Sequence, residues 1–446
     1  MDIIIAGAGG IGFHLAQLLA SANQNIRLID VDEKVLQYAA DHLDVFTVRG
    51  DASSIDVLRN AGVANCQLFI STTTHESTNL LTAILAKKLG ARRTIARVNN
   101  PEYIEQRQID NFREVGIDEL FSPLLLAAEE ISQLIHQVSA TDVTNFEDGK
   151  ISIVGFTVDN SSVLNGKTFD EFKAGLPDSI VKPIAILRYT ETLRPSGSTR
   201  IQAQDHIYVA TNLQNIDRLN AYIGKTLQKV KRMMIVGGGR LALQTARLLE
   251  KEFSVSVVAG KEENCKRFIE LLDNALVIQG KPDNIDLLRE EGLENMDAFV
   301  ALTPNSETNI IASLTAERYG VYKTIAHVDN VAYTHISQQI GVDTLINQKL
   351  IAANNIFKYF RKGKVEAIRS LQGVEGEIIE FNIAKNNSVT AKPIGELRLP
   401  ELAVVAGVVR NDSGLIVEDD FQLQLGDKVI IFAPPSCIES VANTFR

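Results

Sequence analysis

Cysteine is scarce, long apolar runs are missing, and no run of more than two consecutive cations occurs. The 446 residues hold three cysteines, Cys66, Cys265 and Cys437, far apart and without a CxxC pair or any metal-ligand spacing. That excludes a disulfide framework and suits a reducing cytosol. Each of the three is expected to act as a small buried hydrophobe. No stretch approaches the ~18 apolar residues of a membrane-spanning helix. The longest, such as LAVVAGVV at 402–409 and KVIIFAPP at 428–435, have the length of strands. Direct membrane insertion is therefore not expected. The opening MDIIIAG carries Asp2 and runs straight into glycine, so it reads as a strand and not as a signal-peptide core. The formal net charge is −10 with no block of consecutive Lys or Arg. That removes the phosphate-neutralising surface on which nucleic-acid binding rests, so no nucleic-acid partner is expected. HExxH, GxSxG, a P-loop lysine and low-complexity segments are also absent.

What the chain does have is a 45% apolar composition, enough for sizeable cores in several domains, and a duplication. MDIIIAGAGGIG at the start returns as MMIVGGGRLA 230 residues further on. At the same offset GDASSIDVLRNAG (50–62) meets GKPDNIDLLREEG (280–292), and residues 76–103 meet 306–333 with TN, Gly90/Gly320 and TIA in register. After a five-residue deletion GIDELFSPLLLAAEEI (116–131) matches GVDTLINQKLIAANNI (341–356). An internal repeat on this scale decides the architecture.

Within each copy, aliphatic runs of strand length (DIIIAG, NIRLID, DVFTVRG, QLFIST, RTIARV) alternate with helical patterns. Uninterrupted hydrophobic strands between helices mean a parallel sheet covered on both faces. Residues 139–150 read as a polar loop, and 151–223 and 374–446 as short alternating strands with a closing helix. The fold class is therefore α/β: two Rossmann-like, doubly wound parallel-sheet domains, each followed by a small α+β domain. The expected boundaries are 1–138, 139–225, 231–363 and 364–446. The helical segments 124–138 and 350–363 are candidates either for ordinary closing helices or for helices that cross onto another unit.

The first glycine turn, Gly7, Ala8, Gly9, Gly10, Ile11 and Gly12, follows a strand and opens an amphipathic helix. In this G-x-G-x-x-G pattern Gly7 allows the tight turn, Gly9 a close approach of pyrophosphate, and Gly12 contact between helix and strand. The helix N-terminus adds free N–H groups and partial positive charge. Asp30 ends the second strand eighteen residues past Gly12, where a carboxylate can accept both adenosine ribose hydroxyls and repel a 2′-phosphate. NAD(H) is the cofactor expected there. Asp51 and Ala52 follow the third strand within reach of an adenine, Thr73 and Thr74 follow the fourth, and Arg97 ends the fifth, where it can meet the pyrophosphate.

The second turn is Gly237, Gly238, Gly239, Arg240, Leu241 and Ala242. There Ala259 or Gly260 stands where Asp30 does, Lys281 replaces Asp51, Pro304 replaces Thr74 and His327 replaces Arg97. This site is expected to be weak, selective for a more phosphorylated ligand, or empty.

A dehydrogenase also needs an acid/base group over the nicotinamide and a substrate domain. Only residues 151–223 intervene between the two nucleotide-type domains, and they offer no repeated Lys/His/Asp constellation. An NAD-dependent oxidoreductase stays as the alternative to a ligand sensor.

MDIIIAGAGGIG, LID, VRGDAS and TIARVNNPEY resemble the N-terminal domain of RCK (regulator of K⁺ conductance) proteins. DHIYVA and IVEDDFQLQLGDKVIIF resemble its C-terminal partner. The tandem arrangement resembles the TrkA family, the cytosolic nucleotide-binding subunits of bacterial Trk potassium uptake systems. That resemblance implies a subunit with neither pore nor catalysis that binds NAD(H), with ATP/ADP or nothing at the second site. It implies a homotetrameric ring held peripherally on the cytoplasmic face of the membrane by a channel-like partner of the TrkH/TrkG kind.

Overall fold

A computed structural model of the chain describes residues 2–21, 24–136, 142–176, 180–189, 191–224, 230–330, 333, 342–361, 367–371, 374, 376–385, 389–434 and 437–445. The expected boundaries at 138/139, 225 and 363/364 lie outside the described residues. Two compact units form: Met1–Glu129 with Asn347–Phe360, and Glu130–Ile346 with Arg361–Arg446.

The first unit is built on six parallel strands, β1 (Asp2–Ala6), β2 (Asn25–Asp30), β3 (Phe46–Arg49), β4 (Leu68–Ser71), β5 (Arg93–Arg97) and β6 (Glu119–Phe121), in the order β3-β2-β1-β4-β5-β6. The central strands bury almost every side chain: Ile3, Ile4, Ile5 and Ala6 in β1, and all of Leu68–Ser71 in β4. Burial on both faces is what an apolar strand flanked by helices requires. One side packs Ile4, Ala6, Ile29, Ala52, Leu58 and Phe69 into a common core. Strand order reverses between β1 and β4, and an open α/β sheet forms its crevice beyond the carboxyl ends there.

The second unit repeats this sheet as β12 (Arg232–Val236), β13 (Ser254–Ala259), β14 (Leu276–Gln279), β15 (Ala298–Ala301), β16 (Lys323–His327) and β17 (Thr344–Ile346), in the order β14-β13-β12-β15-β16-β17. It also carries two antiparallel sheets. One is β10-β9-β11-β8-β7, from β7 (Asp142–Phe146), β8 (Ile151–Thr157), β9 (Lys182–Arg188), β10 (Glu191–Leu193) and β11 (His206–Thr211). The other is β18-β19-β22-β20-β21, from β18 (Ala367–Ser370), β19 (Glu377–Asn382), β20 (Val404–Arg410), β21 (Ser413–Leu415) and β22 (Lys428–Ala433). The two small sheets share one core, in which Phe146, Ile151 and Tyr208 meet Ile378, Ile430 and Phe432. Each small domain also repeats a buried bidentate ion pair, Arg188 with Asp205 and Arg410 with Asp427, all four bonds 2.7–2.8 Å long.

Three expectations need correction. The loop expected at 139–150 contains strand β7, whose Val143 pairs with Val154 while Asn145 accepts a hydrogen bond from Ser152 Oγ at 2.7 Å. Three of its five residues, Asp142, Thr144 and Asn145, are polar and it lies at the sheet edge, so composition hid the strand. The three-residue strands β6 and β17 were too short to show a pattern. Cys66 and Cys265 are buried as expected, but Cys437 is only half-buried.

The helical segments at 124–138 and 350–363 appear as Pro123–His136 and Gln348–Arg361. The second comes from the second copy of the repeat, yet almost all of it groups with the first parallel sheet.

Candidate functional site

In the first unit the chain leaves β1 through Gly7 and enters the helix Gly10–Ser21. Gly7 has φ +97°, and a Cβ there would lie 2.8 Å from the Thr73 amide nitrogen. A Cβ on Gly12 would lie 1.9 Å from the Gly7 carbonyl oxygen, so both positions require glycine. Over Gly9 nothing among the described residues stands within 4 Å of the corresponding point. The turn therefore leaves open space above a helix N-terminus, the arrangement that admits a phosphate group. Ala8 and Ile11 bury their side chains, and so turn only backbone to a ligand.

Asp30 ends β2 next to this turn. Its Oδ2 accepts a hydrogen bond from the Ala8 amide at 2.7 Å and its Oδ1 one from the Asp32 amide at 3.0 Å. The carboxylate is thus fixed against the glycine turn with acceptor capacity to spare for a ribose hydroxyl.

The other expected residues divide. Asp51 follows β3 in an exposed position, where the amide and hydroxyl of Ser53 donate to its carboxylate at 2.8 Å each and hold it below the ordinary carboxylate range. Ala52 packs its methyl group into the core. Thr73 is half-buried and donates both its amide (2.8 Å) and its hydroxyl (2.7 Å) to Asn79 Oδ1, while Thr74 is exposed. Arg97 ends β5 half-buried, with a buried Nε that has no hydrogen-bond partner among the described residues. Burial lowers the pKa of its guanidinium.

Two residues escaped the reading of the sequence. Asn79 is buried and ties the ends of β4 and β5 together, donating to the carbonyls of Thr73 (3.1 Å) and Arg97 (3.0 Å). Its only signal was the TN pair that recurs in the duplication. Thr72 Oγ1 donates to the Gly7 carbonyl at 3.0 Å and so braces the turn from β4.

The second glycine turn keeps the scaffold but has no carboxylate at the position of Asp30. Asn309 repeats the clip, accepting from the Thr303 amide (2.9 Å) and hydroxyl (2.7 Å) and donating to the carbonyls of Thr303 (2.9 Å) and His327 (2.8 Å). Strand register settles which residue replaces Asp30. Asp30 pairs with Arg49, and Ala259 with Gln279; Gly7 N donates to Ile29 O, and Gly237 N to Val258 O. Ala259 is therefore the counterpart, and Gly260 lies one residue beyond. Arg267, on the helix Glu262–Leu271, donates Nη2 to the Gly238 carbonyl at 3.0 Å, and Asn264 Nδ2 lies 2.5 Å from where a Gly238 Cβ would be. Arg240 and Lys281 are exposed, whereas Leu241 and Ala242 are buried. As with the first turn, Gly239 has open space above it.

The TrkA-N domain model matches residues 3–123 and 233–348, and the TrkA-C domain model matches residues 153–224 and 378–446. The Trk system potassium uptake protein TrkA of Haemophilus influenzae is 31% identical over 438 residues, covering 97% of this chain and 95% of that one. The TrkA homolog of Archaeoglobus fulgidus is 30% identical over 447 residues, with 100% of both chains covered. Among solved structures, the GsuK RCK domain superposes with a TM-score of 0.61 at 16% identity, covering 100% of this chain and 94% of that one. The GsuK channel bound to NAD gives a TM-score of 0.61 at 17% identity, with 100% and 78% covered. At such identities these two share the fold.

Proposed function

The chain belongs to the TrkA family, whose two domain models alternate along it, and from that premise we propose that it is the nucleotide-sensing regulatory subunit of a Trk-type potassium uptake system. NAD(H) is the ligand of the first turn. The observation that carries this is Asp30, held by the Ala8 amide beside a glycine turn with open space over Gly9. Gly7, Gly9 and Gly12 give the phosphates their approach, Asp30 accepts the ribose hydroxyls, and Arg97 faces the pyrophosphate charge. The second turn, with Ala259 for Asp30 and Arg267 on its carbonyl, binds NAD(H) weakly, takes ATP or ADP instead, or stays empty.

The subunit carries no catalytic step. It works by conformation: a ligand shifts an equilibrium only as far as it binds the states with different affinity. In this reading the chain assembles as a homotetramer on the cytoplasmic face of a channel-like membrane partner of the TrkH/TrkG type. Among the described residues no helix is long and apolar enough to cross a membrane, which fits attachment through that partner.

Calorimetry with NADH on the full-length protein and on Asp30→Ala tests the site. One ordinary site per chain is expected, weakened about 10- to 150-fold in the variant, the worth of a hydrogen bond to a charged group. Two equal sites per chain, or wild-type affinity in Asp30→Ala, overturn it. Potassium uptake restored by this protein in a strain lacking it tests the role. NADH turnover with hydroxy- or keto-acids would argue for an oxidoreductase instead.

A further inference from the structure

The helix Gln348–Arg361 begins immediately after β17 in the second copy and ends up in the compact unit of the first. Its first turn is fixed by Asn347, whose Oδ1 accepts from the amides of Lys349 (3.0 Å) and Leu350 (3.1 Å). Lys349 then lies across the first glycine turn. Its Cδ and Cε are each 2.9 Å, and its Nζ 3.5 Å, from the point where a Cβ on Gly10 would be. A side chain at Gly10 would displace this flexible lysine stem from the turn. Gly10 is not strained in its backbone, so the feature that marks this position is the lysine stem beside it.

The second copy provides an internal comparison. At the position of Gly10 it has Arg240, and the repeat aligns Lys349 with Leu124. Each glycine turn thus has a cation near the start of its helix, and the second has Arg267 on the Gly238 carbonyl besides. In the second copy the cation at the helix start is on the turn itself. In the first it arrives from a distant segment of the chain.

We propose that Lys349 is the phosphate-binding cation of the first nucleotide site, so that this site is completed by a side chain from the second copy of the repeat. The proposal rests on the reading of the first turn as a nucleotide site. An ammonium group beside a helix N-terminus adds a full charge to the partial charge of the amides, and lysine serves phosphates as a mobile point charge. A diphosphate between Gly9 and Lys349 contacts two segments far apart in sequence. Its binding free energy therefore depends on where the helix Gln348–Arg361 lies, which is the differential contact that a conformational sensor needs.

The test compares the full-length protein with Lys349→Gln and Lys349→Arg by calorimetry, using NADH, ADP and adenosine as probes. Loss of one charge-assisted phosphate contact is expected to weaken NADH and ADP about 10-fold or more in Lys349→Gln. Adenosine, which has no phosphate, keeps its wild-type affinity, and Lys349→Arg retains most of the affinity for NADH and ADP. Wild-type affinity for NADH and ADP in Lys349→Gln overturns the proposal. So does an equal loss for adenosine, since that would make the lysine a packing residue. If the wild-type protein binds neither NADH nor ADP, the nucleotide reading of the site fails first, and Asp30→Ala, tested alongside, then also shows no change.

Discussion

Replacing Gly12 by alanine puts a methyl carbon 1.9 Å from the Gly7 carbonyl oxygen and 2.9 Å from Thr72 Oγ1. Neither neighbour is a free chain end: one is backbone, and the other is the hydroxyl that donates to that same carbonyl at 3.0 Å. The turn must open by roughly 1 Å to restore ordinary contact, which is overpacking of a closed site. The second copy accommodates alanine here with a different turn conformation. It has Ala242 at this position, fully buried, and its first glycine, Gly237, has φ +146° where Gly7 has +97°. Leu302 stands there in place of Thr72, so no hydroxyl ties the carbonyl down.

Overpacking costs about 1–3 kcal/mol, and loss of the Thr72 hydrogen bond adds about 1 kcal/mol. For a domain of this size that corresponds to an apparent Tm lower by roughly 5–10 °C. The opened turn also carries the Ala8 amide away from Asp30, so NADH affinity is expected to fall about 10-fold or more. Thermal unfolding and NADH calorimetry on Gly12→Ala read the two effects separately. Ala242→Gly is the control: it costs about 1 kcal/mol for glycine in a helix and leaves NADH binding at the first turn unchanged. A Gly12→Ala protein with unaltered melting and wild-type NADH affinity would refute the reasoning.

Asn79→Ala and Asn309→Ala each leave several buried backbone groups without partners, and each is expected to cost about 3–5 kcal/mol in denaturant unfolding; a loss below about 1 kcal/mol would show the clip to be dispensable. His136 donates Nδ1–H to the Ser132 carbonyl (2.7 Å) and, when protonated, Nε2–H to Glu252 Oε2 (3.1 Å), and it packs edge-on to Phe253. Burial lowers its pKa, but the bonds to Ser132 and Glu252 outweigh that and leave it raised. Its stabilising effect is therefore full below the unfolded value of about 6.5 and is lost as pH rises through the higher folded value. The melting difference between wild type and His136→Gln should be largest at mildly acidic pH and fade above neutrality, and a pH-independent difference would count against the pair.

The features legible in the sequence were those written along a continuous stretch of chain. The repeat, the apolar strands of both parallel sheets, the two glycine turns and Asp30 all follow from neighbours within about twenty residues, where helix and strand periods leave a readable pattern. Short or polar edges such as β6, β7 and β17 carry too little pattern, and their ladders come from the partner strand. Choosing Ala259 over Gly260 needed strand register, because a loop between helix and strand can absorb one residue without trace in the composition. Arg267 on Gly238 and Lys349 on Gly10 lie beyond any sequence pattern, and Asn79 between β4 and β5 left only the recurring TN pair. Long side chains reach across the fold, and which backbone they meet depends on the path of the whole chain. The sequence by itself determined that this protein has two nucleotide-type turns and that they are unequal. Only the tertiary structure decided which side chains stand over each turn, because those side chains come from segments that meet only after the chain has folded.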